Sequence, residues 1–261
     1  MINGQELLCS RIEHSTLDTF PRTLMLLGPK GSGKHMLCSE ISKHFNIPAL
    51  ELTDDISLEV IDDIYLQAEP FIYIIDLDKV SVKEQNMLLK FLEEPLNNAF
   101  IILLSEAGAN VLKTVFNRCQ QWRLSPYSKD FLKVFTDNEQ ILSLASTPGQ
   151  ILDFLHSDFN QIFDLADKIT LKISAANLPN ALTITNKLGF KDERDKINPH
   201  LLIKALLVSF NNQWKATGNK IFLNGYKRTL QLSADSKIRN VDMKYLIDRY
   251  IIELREVMRV N

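Results

Sequence analysis

The sequence predicts a three-layer α/β domain on a parallel five-stranded sheet, followed by an all-helical remainder. Three observations carry this. Short apolar runs alternate with amphipathic stretches from Thr23 to Leu124, the pattern of a parallel sheet with helices on both faces. The first run opens into Gly28-Pro-Lys-Gly-Ser-Gly-Lys34, the full G-x-x-x-x-G-K spacing of a phosphate-binding loop between strand and helix. Beyond Pro126 the strand signals stop and only helical spacing continues.

The elements follow in order. Residues 3–16 read as a helix with Leu7, Leu8 and Ile12 on one side, and Pro21 ends the approach to the first strand, Thr23–Leu27. Met36–Phe45 is the helix after the glycine loop, and Ile47–Leu52 is a short second strand. Ser57–Leu66 is a helix with Leu58, Ile61, Ile64 and Tyr65 inward and Asp54, Asp55 or Ser57 as N-cap. Phe71–Asp76 is a continuous apolar run of the kind buried parallel strands show. Val82–Glu94 is an amphipathic helix stopped by Pro95, and Phe100–Ser105 is a fourth strand. Gly108–Phe116 is helical, Asn117-Arg-Cys119 links it to Gln120–Leu124, and that segment is the last strand.

After Pro126, Phe131–Phe135, Gln140–Ala145 and Gly149–His156 are short helices, and from Phe159 the helices lengthen. Leu201–Trp214 and Val241–Met258 are the clearest, with loops at Leu188–Pro199 and Asp235–Asn240. This divides the chain into 1–126, 127–165 and 166–261.

Composition sets bounds. At 261 residues, 45% hydrophobic and 24% charged, the chain has length for a real core in one or two domains. Neither a bilayer-length apolar run nor a signal-peptide pattern is visible, so a cytoplasmic protein without membrane contact is expected. Cys9, Cys38 and Cys119 are odd in number and lack any C-x-x-C pair. They read as buried thiols in a reducing compartment, and no zinc is expected. The net charge of −2 divides into −6 for residues 1–125, −4 for 126–165 and +8 for 166–261. Such asymmetry marks a nucleic-acid face, a protein interface or a solvated helix surface. The C-terminal basic residues are scattered, which leaves all three open.

The candidate site begins with Gly28, Pro29, Lys30, Gly31, Ser32, Gly33, Lys34 and His35. Glycines let backbone N–H groups turn inward, the helix start adds partial positive charge, and Lys34 reaches the β/γ-phosphates of a nucleotide. His35 stands where a Ser or Thr hydroxyl would ligate Mg²⁺, an ion that prefers hard oxygen donors. Asp76, at the carboxyl end of its strand, would hold Mg²⁺ through its water shell. Leu77 follows where a general base would stand, and leucine cannot serve as one; Asp78 would need a reshaped turn. Ser105 ends the fourth strand in a hydroxyl able to sense a γ-phosphate.

Gly4-Gln-Glu6, the glycine loop, Asn86-Met-Leu-Leu-Lys-Phe-Leu-Glu-Glu-Pro95 and Asn117-Arg-Cys119 together resemble the clamp-loader branch of the AAA+ ATPases. Leu88–Pro95 followed by a strand and an Arg-Cys pair is the most specific of these. Within that branch the chain looks like bacterial DNA polymerase III subunits of the delta-prime type, with gamma/tau next. The motifs cover residues 3–125. The resemblance implies an AAA+ domain, a small helical lid over 127–165 and a helical collar for oligomerisation over 166–261. It implies ATP and Mg²⁺ as cofactors and other clamp-loader subunits (gamma/tau-like and delta-like) as partners. It also implies a sliding clamp and, through the complex, primed DNA. Arg118 would be the arginine finger offered in trans to a neighbour's ATP, Asp76 the Walker-B acid and Ser105 the first sensor.

Departures sharpen the reading. The zinc-binding cysteine module of bacterial relatives is missing, and Gly149 stands where the second-sensor arginine would be. With His35 and Leu77, three catalytic parts are replaced. The expectation is a stator-like subunit with little ATP turnover of its own, lending Arg118 to an active neighbour. Two alternatives stand beside it. An autonomous AAA+ ATPase would turn over ATP without partners, and a DNA-binding module would show strongly salt-weakened binding as an isolated chain.

Overall fold

The computed structural model of the chain describes residues 2–52, 56, 61, 64–65, 68–94, 98–106, 111–156, 159–174, 199–235, 249–254 and 256. The proposed N-caps Asp54, Asp55 and Ser57, Leu58, the loop residues 188–198 and 236–240, and most of 241–258 lie outside these.

The chain divides into two compact units, residues 1–135 with 146–150, and residues 136–145 with 151–261. The first is the α/β part. Strands β1 (Thr23–Leu27), β2 (Ala49–Leu52), β3 (Phe71–Asp76), β4 (Ala99–Ser105) and β5 (Gln120–Arg123) form one sheet in the order β2-β3-β4-β1-β5. All pairings are parallel, with Leu24 opposite both Ile102 and Gln120. β4 is central and buried at every residue, whereas edge strand β2 begins exposed and β5 buries Trp122 alone. That gradient explains why β3 and β4 read as unbroken apolar runs: covered on both faces, they have no polar side to show.

Successive side chains alternate between two cores. Leu24, Leu26, Ile72, Ile74, Phe100, Ile102, Leu104 and Trp122 pack with helices α1 (Glu6–Glu13) and α2 (Lys34–Phe45). Met25, Leu27, Tyr73, Ile75, Ile101 and Leu103 pack on the other face with Ile61, Ile64 and helices α3 (Val82–Glu93) and α4 (Lys113–Phe116). The strand period of two sends each run to both layers at once.

Two expectations need correction. The first helix occupies Glu6–Glu13 only, because Gly4 has φ +83° and a Cβ there would stand 2.6 Å from the Tyr127 ring. Leu7 is 81% exposed, since the buried stripe is Leu8, Cys9 and Ile12 and one helical step back turns Leu7 away. Of the segment 108–116, residues 108–110 lie outside the described residues, Val111 and Leu112 are not helical, and the helix is Lys113–Phe116.

The sheet unit also carries α5 (Lys129–Leu132) and the start of α7 (Pro148–His156). In the second unit every element among the described residues is a helix: α6 (Glu139–Leu144), the rest of α7, α8 (Phe159–Ser174), α9 (Pro199–Thr217), α10 (Lys220–Asp235) and a helical stretch at 249–254. α9 packs against both α8 and α10. Gly225 on α10 lets the Phe210 ring approach to where a Cβ would stand 2.5 Å away, and Ser209 Oγ donates to Asp167 Oδ1 at 2.5 Å.

Candidate functional site

The glycine loop leaves the carboxyl end of β1, where Gly28 N–H still donates to Ser105 C=O at 3.1 Å. Gly31 and Gly33 hold φ of +76° and +98°, a region that L side chains rarely enter, so the two glycines are dictated by the turn. Every carbonyl from Gly28 to Ser32 is tied. Lys34 Nζ donates to Gly28 O at 2.5 Å and Pro29 O at 3.3 Å. Thr147 Oγ1 donates to Lys30 O at 2.8 Å, Gly149 N–H to Gly31 O at 3.1 Å, and Tyr127 OH to Ser32 O at 2.8 Å. The first turn of α2 then presents N–H groups that no helix can satisfy internally. Ser32 Oγ is buried and without a hydrogen-bond partner. A loop with tied carbonyls, helix-start amides, an orphaned hydroxyl and a lysine fits a phosphate group.

Lys34 is itself buried, and that burial pushes its ammonium below the usual lysine range; the carboxylates of Glu106, Asp78 and Asp76 act the other way. Reaching a bound phosphate requires the ammonium to leave the carbonyls of Gly28 and Pro29.

The Mg²⁺ side is different. Asp76 lies at the end of β3, but its Oδ1 accepts from Asp78 N–H at 3.1 Å and its Oδ2 pairs with Lys79 Nζ at 3.2 Å. Lys79 also approaches Glu51 Oε1 at 4.0 Å, and Glu51 Oε2 pairs with His35 Nδ1 at 3.5 Å. The two positions that would flank a Mg²⁺ ion are thus joined by a chain of side chains with an ammonium in the middle. Among the described residues, no group of three His, Cys, Asp or Glu side chains is placed to hold a metal ion. The residues present fit a phosphate and do not fit Mg²⁺.

Leu77 is fully buried in the sheet core. Asp78 turns to the neighbouring strand end, accepting from Ser105 Oγ at 3.2 Å and Glu106 N–H at 2.7 Å. Ser105, the predicted sensor, therefore stands beside Asp78 at the carboxyl edge, in the same region as Lys34 and Asp76. Gly149 packs backbone to backbone on the loop: a Cβ on it would stand 2.5 Å from Gly31 Cα. No arginine fits that position.

Arg118 does not join this cluster. Its carbonyl accepts from Thr23 Oγ1 at 2.9 Å, at the start of β1, so about 16 Å of strand separate it from Gly28. Its guanidinium donates to Thr114 O at 2.8 Å and pairs with Glu93 Oε1 at 2.5 Å.

Sequence reasoning missed Lys79, Glu51, Tyr127 and Thr147. Only Lys79 had a local signal, three residues after Asp76. Gln5, noted within a motif without a role, makes a two-way amide clasp: Nε2 donates to Ser125 O at 2.9 Å and Oε1 accepts from Ser125 N–H at 2.7 Å.

Sheet order, glycine loop and strand-end acid define the class, a P-loop α/β domain. Comparison with known proteins agrees. The gamma-subunit-related protein of DNA polymerase III from Thermotoga maritima superposes with a TM-score of 0.55 at 15% identity, over 98% of this chain and 100% of that one, which shows the shared fold. Residues 53–128 match the family described as DNA polymerase III, delta subunit. Subunit delta' of DNA polymerase III from Haemophilus influenzae is 32% identical over 88 residues, 31% of this chain and 27% of that protein. Subunit gamma from Buchnera aphidicola is 25% identical over 201 residues, 71% of this chain and 54% of that protein. The chain is thus similar to subunits delta' and gamma of DNA polymerase III, and its matches span about a quarter to a half of those curated relatives.

Proposed function

We propose that this chain is a clamp-loader subunit of the delta-prime type, a stator that helps to load a sliding clamp onto primed DNA. It lends Arg118 to the ATP of a neighbouring subunit. The observation that carries this is the separation of Arg118 from its own glycine loop by the length of β1. An arginine at the amino edge of the sheet has no use for a nucleotide at the carboxyl edge of the same chain, but it lies where a partner could bring one. Its planar fork of donors suits charge spread over a transferring phosphoryl group. The pairing with Glu93 and Thr114 O is then the resting position, left when the partner docks.

On this reading gamma/tau-like and delta-like subunits are the partners, residues 127–165 form the lid, 166–261 form the collar, and the complex works in the cytoplasm. The chain's own loop takes nucleotide weakly, and its own turnover is low: Leu77 is no base, Gly149 admits no arginine, and Lys79 holds Asp76. The same three features weigh against an autonomous ATPase.

The test is affinity purification of the full chain from its native source, followed by ATP turnover of the recovered complex with clamp and primed DNA. A motor subunit and a clamp should co-purify. Arg118→Ala should leave assembly intact and lower turnover by about 10³-fold, the scale of a lost finger. Lys34→Ala should change little. Recovery of neither partner, or normal turnover with Arg118→Ala, would remove the reading.

A further inference from the structure

We infer that the phosphate site at this loop works without a divalent cation, because the Lys79 ammonium supplies the positive charge between Asp76 and Glu51. This rests on reading residues 28–35 as a polyphosphate-binding loop. In P-loop ATPases Mg²⁺ is held between the hydroxyl after the loop lysine and the strand-end acid. Here the residue after the lysine is His35, 3.5 Å from Glu51, and the acid is Asp76, 3.2 Å from Lys79. Lys79 reaches toward Glu51 as well, at 4.0 Å, which closes the chain of charges.

A resident ammonium is not equivalent to Mg²⁺. It carries one charge instead of two and donates three hydrogen bonds on a flexible stem, where Mg²⁺ demands an octahedron of oxygens. It also repels an incoming dication at close range. Asp76 gains little from exchanging it, since Oδ1 is held by Asp78 N–H and His35 offers nitrogen where the ion wants oxygen. The ligand class is therefore a metal-free polyphosphate, a nucleoside di- or triphosphate bound through loop amides and lysine ammonium groups alone.

The experiment uses the full chain and Mn²⁺ as the probe, with bound ion read by electron paramagnetic resonance. In the unsubstituted chain, any Mn²⁺ binding should be indifferent to Asp76→Asn. Lys79→Ala, and independently Lys79→Gln, should create a site that binds Mn²⁺ about tenfold more tightly, the scale of one partly screened charge contact. Asp76→Asn should abolish that gain. In parallel, the affinity for a fluorescent ATP analogue should be the same in EDTA as in Mg²⁺.

Asp76-dependent Mn²⁺ binding with Lys79 in place would overturn the inference. So would Lys79 variants that gain no Asp76-dependent site, or nucleotide affinity that needs Mg²⁺. A chain that binds no nucleotide in either buffer would instead overturn the polyphosphate reading of the loop. The Mn²⁺ measurements would then still decide the role of Lys79, and the Arg118→Ala test stands apart from both.

Discussion

A methyl group at Gly149 would stand 2.5 Å from Gly31 Cα, closer than any Cβ contact tolerates, and both neighbours are backbone. Gly149→Ala must therefore shift the chain, at a cost of about 1–3 kcal/mol. Its denaturant midpoint should fall with an unchanged slope. Gly31→Ala should lose more, since it meets the same contact and also strains φ at +76°. The thiols make a second prediction at this scale. Burial pushes the Cys38 and Cys119 thiols up from 9.0 to about 12, so the folded chain keeps both protons where the unfolded chain has released them. The stability this contributes is whole below about pH 9 and is lost as pH rises toward about 12. Unfolding midpoints measured across that window should fall, and a Cys38→Ala, Cys119→Ala chain should lose less over the same range. Residues whose role is backbone geometry or burial were legible: Gly31 and Gly33 come from the motif, and the buried thiols from an odd number of cysteines with no C-x-x-C pair. Tyr127 and Thr147 were not, because each reaches the loop from far along the chain and no local pattern marks a side chain that ties a distant carbonyl.

Helix α3 shows how far an element can be read before folding. Ser81 and Glu84 form a reciprocal cap, with Glu84 N–H donating to Ser81 Oγ at 3.3 Å and Ser81 N–H to Glu84 Oε2 at 2.7 Å. Ser81→Ala should cost about 1 kcal/mol, measurable as a lower thermal or denaturant midpoint without change in the strand core. The buried face of the helix, Leu88, Phe91 and Leu92, follows the spacing that announced it. Strands β3 and β4 were equally clear, since burial on both faces leaves an apolar run with no interruption. The edges were harder. β2 starts two residues later than its pattern suggested, because an edge strand half open to water carries Glu51 and mixed polarity. Helix α1 was overextended for a related reason: Leu7 continues an apolar cluster in sequence while the helix turns it outward.

For the molecule as a whole, the candidate site residues are divided between the two edges of one sheet. The carboxyl edge holds the glycine loop, Asp76 and Ser105, and the amino edge holds Arg118. Substitutions at the two edges should therefore separate in a reconstituted complex: Arg118→Ala depresses turnover and Lys34→Ala leaves it near its starting value. A result with the two reversed would mean that the chain's own loop drives loading. This division was partly legible. The parallel order of strands puts every strand's carboxyl end on one side, so a residue just before β5 must stand opposite a loop just after β1. The occupation of Asp76 by Lys79 was not, because spacing says that two groups are near and not which of several partners a charge selects.

The contact between Gly31 and Gly149 also bears on descent. A lineage that restores a base after Asp76 and a hydroxyl after Lys34 would still lack its arginine, and the first Cβ at position 149 meets the main chain of Gly31, which must shift to admit it. On the proposed reading, recovery of independent turnover would therefore also require the segment 146–150 to retreat from the loop. That contact would then act as a ratchet, holding the chain to dependence on its neighbours.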